Sequence, residues 1–251
     1  MANSNFIYPQ IFKSPTKAFF TTRKGGVSHG VYASLNLGDH VGDNLNDVIK
    51  NRNLVLAHSS FKKLVWMKQT HSAHVEEVTL NNADNIIEAD AIVTKEQGLG
   101  LAVMTADCLP VLLSAINLPI YAAVHCGWRG LYNQILRNTI ELMHSMGANG
   151  FKAVLGPAIG FDSFEIGSDL KNKFLERNAP LSAFKETSPA QTNKVLCSLY
   201  TIAQNQLLNL GLNACDIETL AFDTFKLTDT FFSYRKENVT GRMAGIIGGI
   251  S

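Results

Sequence analysis

Three apolar stretches of the chain are each broken by a short polar insert: KQTHSAH (Lys68–His74), MTADCLP (Met104–Pro110) and AVHCGWRG (Ala123–Gly130). Their central side chains are His71, Cys108 and His125. Two imidazoles and a thiolate suit zinc or copper, and a fourth position left to water would make such a centre catalytic rather than structural. Zinc held that way lowers the pKa of water and polarises an electrophile. The wide spacing of the three residues belongs to no short zinc motif, so this chemistry depends on the fold bringing them together. The alternatives are a core thiol with two hydrogen-bonded histidines, or a Cys108 nucleophile with a histidine base, as in a cysteine hydrolase or amidase.

The flanking residues define the elements that must position these inserts. AFFTTRKGG (Ala18–Gly26) predicts a strand running into a turn at Gly25 and Gly26. Residues 27–48 are rich in Gly, Asn and Asp and predict a long ordered loop, a kind of segment that commonly carries function. A helix is expected over about Asn46–His58, with Asn44 or Asn46 as its cap and Val48, Ile49, Leu54 and Val55 partly on one face. KLVWMKQTHSAHVEEVT predicts two strands around a polar bend at Gln69–Ser72, and EADAIVT a short strand. LGLAVMTADCLPVLLSA predicts one strand or two, broken near Asp107 and Pro110, and PIYAAVHC another. These nearly continuous apolar runs call for strands covered on both faces.

LYNQILRNTIELMHSMG predicts a helix turning Leu131, Ile135, Leu136, Ile140 and Met143 inward and ending at Gly147. FKAVLGPAIG predicts a strand into a glycine-rich turn, DLKNKFLERN a short helix and LCSLYTIAQNQLLNLG a longer one ending at Gly211. The tail, IETLAFDTF then FFSYRKENVTGRMAGIIGG, predicts two strands with a turn between them. No repeat, coiled coil or linker divides the sequence, so residues 1–251 are expected to form a single mixed α/β domain.

Hydrophobic residues make up 46% of the chain and charged residues 17%, an ordinary globular composition. Lys and Arg number 22 against 21 Asp and Glu, for a net charge of +1, which argues against a nucleic-acid partner held on a broad basic face. The start, MANSNFIYPQIF, shows no basic region leading into an apolar stretch, and no run approaches the ~18 apolar residues of a membrane span. Cys108, Cys126, Cys197 and Cys215 form no CxxC pair. The expectation is a cytoplasmic protein with reduced thiols, no membrane or nucleic-acid partner, and a monomer or small homo-oligomer as its state.

The three inserts, together with TRKGGVS, SLNLGDHVGD, LGPAIG, DTFFSYRK and TGRMAG, closely resemble the multicopper polyphenol oxidase or laccase-domain family, from about Phe19 to Ile247. That family is also described as purine nucleoside phosphorylases. The resemblance implies a layered α/β/α-type sandwich with a mixed β-sheet core. It assigns His71, Cys108 and His125 to a transition metal, usually zinc, with copper possible. It further implies phosphorolysis of adenosine, inosine, guanosine and methylthioadenosine with inorganic phosphate, and hydrolytic deamination of adenosine. The older family label is copper-dependent oxidation of phenols, but only seven histidines are present, far short of the histidine-rich clusters of a true multicopper oxidase. The family pattern has alanine where this chain has Cys126, and commonly cysteine where it has Ala158. Strand alternation would point Cys126 away from a site built on His125.

Given those activities, Asp107 is the favoured acid for moving protons to a departing amine, with Glu165 ranked below it and a turn-capping role as the alternative. Arg129 is the favoured phosphate ligand, through its forked guanidinium. Arg23 and the Gly25–Gly26 turn offer charge and backbone N–H groups. The family pattern adds Asn36, His40, Arg52 and Arg242 as pocket or support residues. Trp128 either stacks on a purine or plugs the corner between strand and helix. The non-enzymatic alternative is a metal- or nucleotide-binding protein with little turnover.

Overall fold

The computed structural model describes residues 5–187 and 193–250; residues 1–4, on which part of the reading of the N-terminal stretch rests, lie outside that range. Alternation along the apolar strands sorts their side chains onto two faces, and this decides the layers. In Leu99–Thr105, Leu101 and Val103 face one way and Ala102 the other. In Leu109–Ala115, Leu112 faces the same interior as Leu101, while Val111 and Leu113 face away from it.

Two six-stranded sheets stack on the shared interior. The first runs Phe6–Ile7, Thr16–Thr21, Met243–Gly249, Leu99–Thr105, Lys63–Lys68, Ile87–Glu88 in spatial order. The second runs Ile217–Thr219, Phe151–Leu155, Leu109–Ala115, Tyr121–Cys126, Ala91–Thr94, Val75–Glu77. Both are mixed: Leu99–Thr105 pairs parallel with Lys63–Lys68 and antiparallel with Met243–Gly249. A small antiparallel sheet, Glu165–Gly167, Lys194–Cys197 and Phe184–Glu186, stands apart from both.

Helix Leu45–Ser59 covers the outer face of the first sheet, packing Val55 with Phe19, Leu64 and Ile246. Helices Ile135–Ser145 and Leu199–Asn209 cover the outer face of the second. The helix–sheet–helix layering expected from the resemblance is therefore present, with the sheet layer doubled. The doubling follows from strands that are apolar on both faces: each sheet needs one cover of helix and one of sheet.

The first helix is capped by Asn44, whose side chain accepts from the Asn46 N–H. It buries Val48 and Val55, but Ile49 and Leu54 are exposed, because Asn51 and Ser59 complete the inward stripe instead. The helix expected after Gly130 is in two pieces, Trp128–Tyr132 and Ile135–Ser145, broken where Gln134 takes a left-handed conformation. All five of its predicted inward residues are buried, and Gly147 follows its end with φ +96°. The tail provides strands Ile217–Thr219 and Met243–Gly249, but the connection between them is far longer than a turn and holds the helical turn Tyr234–Glu237, capped by Ser233. No described helix is long and apolar enough to cross a membrane.

Candidate metal centre

Two of the three polar inserts are places where the chain crosses from one sheet to the other. Gln69–His74 leaves Lys63–Lys68 of the first sheet for Val75–Glu77 of the second, and Ala106–Cys108 leaves Leu99–Thr105 for Leu109–Ala115. The third insert ends Tyr121–Cys126, where His125 lies opposite Pro110 and Cys126 opposite Leu109. His125 shares the inter-sheet side of its strand with Ala123 and Tyr121, whereas Cys126 joins Val124 on the helix side, as alternation predicts. The crossings bring His71, Cys108 and His125 to one end of the seam between the sheets. Their ligating atoms all lie within 4.8 Å of one another, and they are the one such group of three among the described residues.

Asp90, which sequence reading placed only in a short strand, organises this group. It is fully buried and its Oδ1 accepts from His125 Nδ1 at 2.7 Å and from the His71 N–H at 3.0 Å. Its Oδ2 accepts from the Ser72 N–H at 2.6 Å, Ser72 Oγ at 2.7 Å and the Thr70 N–H at 3.2 Å. The carboxylate thus fixes the bend Thr70–Ser72 and holds a proton of His125 on Nδ1, so that Nε2 is the nitrogen that would give up its proton to ligate a metal. Gln69 holds the bend from the other side: its Nε2 donates to Met104 O and its Oε1 accepts the Met104 N–H, both at 2.8 Å. The backbone is strained here, with positive φ at His71 (58°) and Asp107 (90°).

Burial by itself would raise the Cys108 thiol, but the adjoining His125 and His71 outweigh it and hold the thiol below its usual range. Burial likewise opposes charge on His125, and the Cys108 thiolate and Asp90 carboxylate together raise it. Burial also works against the charge of Asp90, yet hydrogen bonds from His125 and Ser72 hold its carboxyl well below the usual carboxylate range. A deprotonated thiol beside two imidazoles is the donor set that zinc or copper accepts, so the residues present fit a transition metal. Gly127 keeps room for it: a Cβ there would lie 3.2 Å from both Cys108 Sγ and His71 Nδ1.

A cavity of 130 Å³ opens beside Cys108, walled by Trp128, Phe164, Leu199 and Tyr234. Asp107 lines it as well, but both of its oxygens are engaged, Oδ1 by Thr224 Oγ1 and Oδ2 by the Arg235 N–H, each at 2.6 Å. Glu165 pairs with Lys194 at 2.9 Å, while its carbonyl accepts from Arg235. Arg129 is exposed and lies 4.4 Å over the Trp128 ring. Arg242 sits over Tyr234 and donates to Thr240 O and Gly241 O; burial lowers its pKa, and the charges of Cys108 and Asp107 oppose that shift.

The remaining predicted residues hold the long loop. Asn36 is fully buried and bridges Gly38, Asp43 and the Arg242 N–H. Arg52 pairs with Asp39 at 3.2 Å and donates to Leu37 O. His40 is exposed beside Asp39. Arg23 is engaged by Glu237, Thr228 O and Ala33 O and stacks on Phe232, so its guanidinium is committed to binding chain segments together. Asp90 and Gly127 were missed as site residues; the available signal was an acid inside the apolar run EADAIVT and a glycine following HC.

Residues 17–249 match the family described as Multi-copper polyphenol oxidoreductase laccase. The chain belongs to this family. It is 39% identical over 237 residues to the purine nucleoside phosphorylase of Haemophilus influenzae, covering 92% of this chain and 93% of that one. It is 38% identical over 230 residues to purine nucleoside phosphorylase YfiH of Escherichia coli, covering 90% and 91%. Among solved structures, Neisseria meningitidis protein NMB0706 aligns with a TM-score of 0.90 at 37% identity, over 99% of this chain and 100% of that one. YlmD from Geobacillus stearothermophilus aligns with a TM-score of 0.90 at 28% identity, over 100% and 98%.

Proposed function

We propose that the protein is a metal-assisted purine nucleoside phosphorylase acting on adenosine, inosine, guanosine and methylthioadenosine. The carrying observation is the convergence of His71, Cys108 and His125 beside an aromatic-walled cavity, in a chain whose relatives are named purine nucleoside phosphorylase. In phosphorolysis an oxygen of phosphate bonds to C1′ of the ribose, the C–N bond breaks, and the base leaves with the bonding pair and takes up a proton. The transition state separates charge, and fixed cations and dipoles that meet it lower the barrier.

Each residue then has a role. His71, Cys108 and His125 hold the metal, proposed to be zinc, which supplies Lewis acidity next to the cavity. Trp128, Phe164 and Tyr234 offer flat faces to the base. Arg129 and Arg242 supply positive charge for phosphate, and the charges of Cys108 and Asp107 favour the charged form of Arg242. Asp90 acts through His125 and the Thr70–Ser72 bend. Asp107, with both oxygens accepting hydrogen bonds, anchors the Tyr234–Glu237 turn that forms one wall of the cavity. The deamination of adenosine implied by the family would draw on Asp107 only if its carboxylate exchanged one of these partners for substrate.

The test is product analysis with adenosine and with inosine, with and without inorganic phosphate, for wild type and His71→Ala. Phosphate-dependent release of base and ribose 1-phosphate, lost in the variant, is expected; inosine formed from adenosine would separately mark deamination. Nucleoside binding without product would leave a binding protein, and oxygen uptake that tracks bound copper would restore phenol oxidation. A second reading has its own observation: Cys108, His125 and Asp90 stand in the order nucleophile, base and orienting acid. A cysteine hydrolase built on them would keep or gain activity on metal removal, whereas the phosphorylase loses it.

A further inference from the structure

Away from the metal centre, the described part of the molecule contains a cleft of 360 Å³ between the helical pieces Trp128–Tyr132 and Ile135–Ser145, the end of helix Ser168–Glu176 and helix Leu199–Asn209. That volume is in the range of small-molecule sites, which run from about 300 to 1,000 Å³. The lining is selective in charge: Arg137 and Arg177 contribute two guanidiniums and no acidic residue is among the lining residues, although Arg137 also pairs with Glu141, one turn along its own helix, at 3.8 Å. Arg177 is already oriented, since its guanidinium stacks 4.3 Å over the Tyr132 ring and donates to Tyr132 O.

Three further observations mark the cleft as more than a packing gap. Gln206 Oε1, on its lining, is a buried side-chain polar atom without a hydrogen-bond partner among the described residues, although Gln206 Nε2 donates to Leu131 O at 2.8 Å. An unsatisfied buried acceptor is costly and asks for a donor. Gln134 and Asn178, both lining residues, hold left-handed backbone at φ 64° and 61°, the kind of local strain that gathers at ligand sites. Phe174 and Tyr132 provide apolar and aromatic wall between the polar groups.

We propose that this cleft is a second binding site, for a phosphomonoester with an N–H- or O–H-bearing body, of the nucleoside monophosphate class. Two guanidiniums, one within helix Ile135–Ser145 and one on the residue that caps the end of Ser168–Glu176, match the dianionic phosphate, since each can donate a forked pair to its oxygens. The body lies against Tyr132, and a donor on it reaches Gln206 Oε1 when that buried side chain turns toward the cleft. Leu131 and Tyr132 belong to the same short helix as Trp128 and Arg129, so an occupant contacts the element that reaches the metal centre.

Occupancy of the cleft is independent of turnover and is read by calorimetric titration of the full chain with AMP, adenosine and inorganic phosphate. The comparison protein is the Arg137→Gln/Arg177→Gln double variant. Both arginines are exposed, so the variant retains the fold, which its melting temperature and metal content check. The expected result is AMP binding that weakens at least tenfold in the double variant, with adenosine and inorganic phosphate each binding more weakly than AMP at the arginine-dependent site. Gln206→Leu is expected to weaken AMP several-fold with the arginines intact. AMP titrating wild type and double variant alike, or failing to bind wild type, overturns the site. Inorganic phosphate binding there as tightly as AMP overturns the ligand class. None of these outcomes bears on phosphorolysis, so failure here and failure of the phosphorylase assignment are separately visible.

Discussion

Asp90→Asn is the perturbation whose consequences follow most directly from the geometry. The amide has nearly the shape of the carboxylate but one acceptor oxygen in place of two, and it carries donors on the other side. If its oxygen faces His125 and His71, its NH2 meets the Ser72 and Thr70 N–H groups, donor against donor. If it faces Ser72 instead, the NH2 meets His71 N–H and His125 Nδ1. His125 can then accept only by moving its proton to Nε2, the atom left for the metal. With two hydrogen bonds to a charged group lost at about 1.5–3 kcal/mol each, the folded state is destabilised by roughly 3–6 kcal/mol. For a chain of this size, at about 2–4 °C per kcal/mol, that corresponds to a fall in melting temperature of roughly 6–24 °C. Loss of an orienting partner also weakens metal binding by about 10–100-fold. Thermal melts in the presence of chelator isolate the first effect, and competition against a zinc indicator measures the second. A variant that melts within ~2 °C of wild type and binds zinc equally would show that Asp90 does not organise the site.

Other outcomes follow from the same structure. Gly127→Ala places a methyl 3.2 Å from Cys108 Sγ and His71 Nδ1, so zinc affinity is expected to fall while the metal-free melting temperature changes little; unchanged affinity would mean the group has slack. Asp107→Asn weakens the anchoring of Thr224 and Arg235 and is expected to cost about 1–3 kcal/mol of stability, measured by urea unfolding. Glu237 is opposed by burial, but hydrogen bonds from Thr240 Oγ1 and Arg23 hold its carboxyl below the usual glutamate range. A depressed carboxyl stabilises the fold above its unfolded pKa, and that contribution disappears as pH falls through its folded pKa. Glu237→Gln is therefore expected to lower stability by about 1 kcal/mol at neutral pH, with the gap closing in acid; an equal gap at both pH values would remove the carboxylate charge as the cause.

The sequence is most informative where one residue type admits few local explanations. Histidine and cysteine interrupting apolar strands singled out the three residues that the fold brings together, and the apolar runs around them identified buried strands. What it could not show is that Gln69–His74 and Ala106–Cys108 are sheet-to-sheet crossings, because strand pairing is set by contacts remote in the chain. For the same reason Asp90 was invisible: its partners are His125, His71 and Ser72, none of them neighbours in sequence. Tyr234–Glu237 was hidden because FFSYRKE has the aromatic and β-branched-poor mixture of an ambiguous segment, and its helical turn depends on the Ser233 cap and on Asp107 accepting the Arg235 N–H. Helix interiors were legible at Leu131, Ile135 and Met143, yet the break at Gln134 carried no glycine or proline to announce it.

The most direct test of the account is inosine phosphorolysis measured against bound zinc in one preparation: wild type stripped by chelator, the same protein reloaded stepwise, and Cys108→Ser carried through the same steps. The account predicts ribose 1-phosphate formation that vanishes on stripping, returns in proportion to zinc bound up to one ion per chain, and stays low in Cys108→Ser. Phosphorolysis that continues undiminished in the stripped protein, or that Cys108→Ser retains in full, would contradict it.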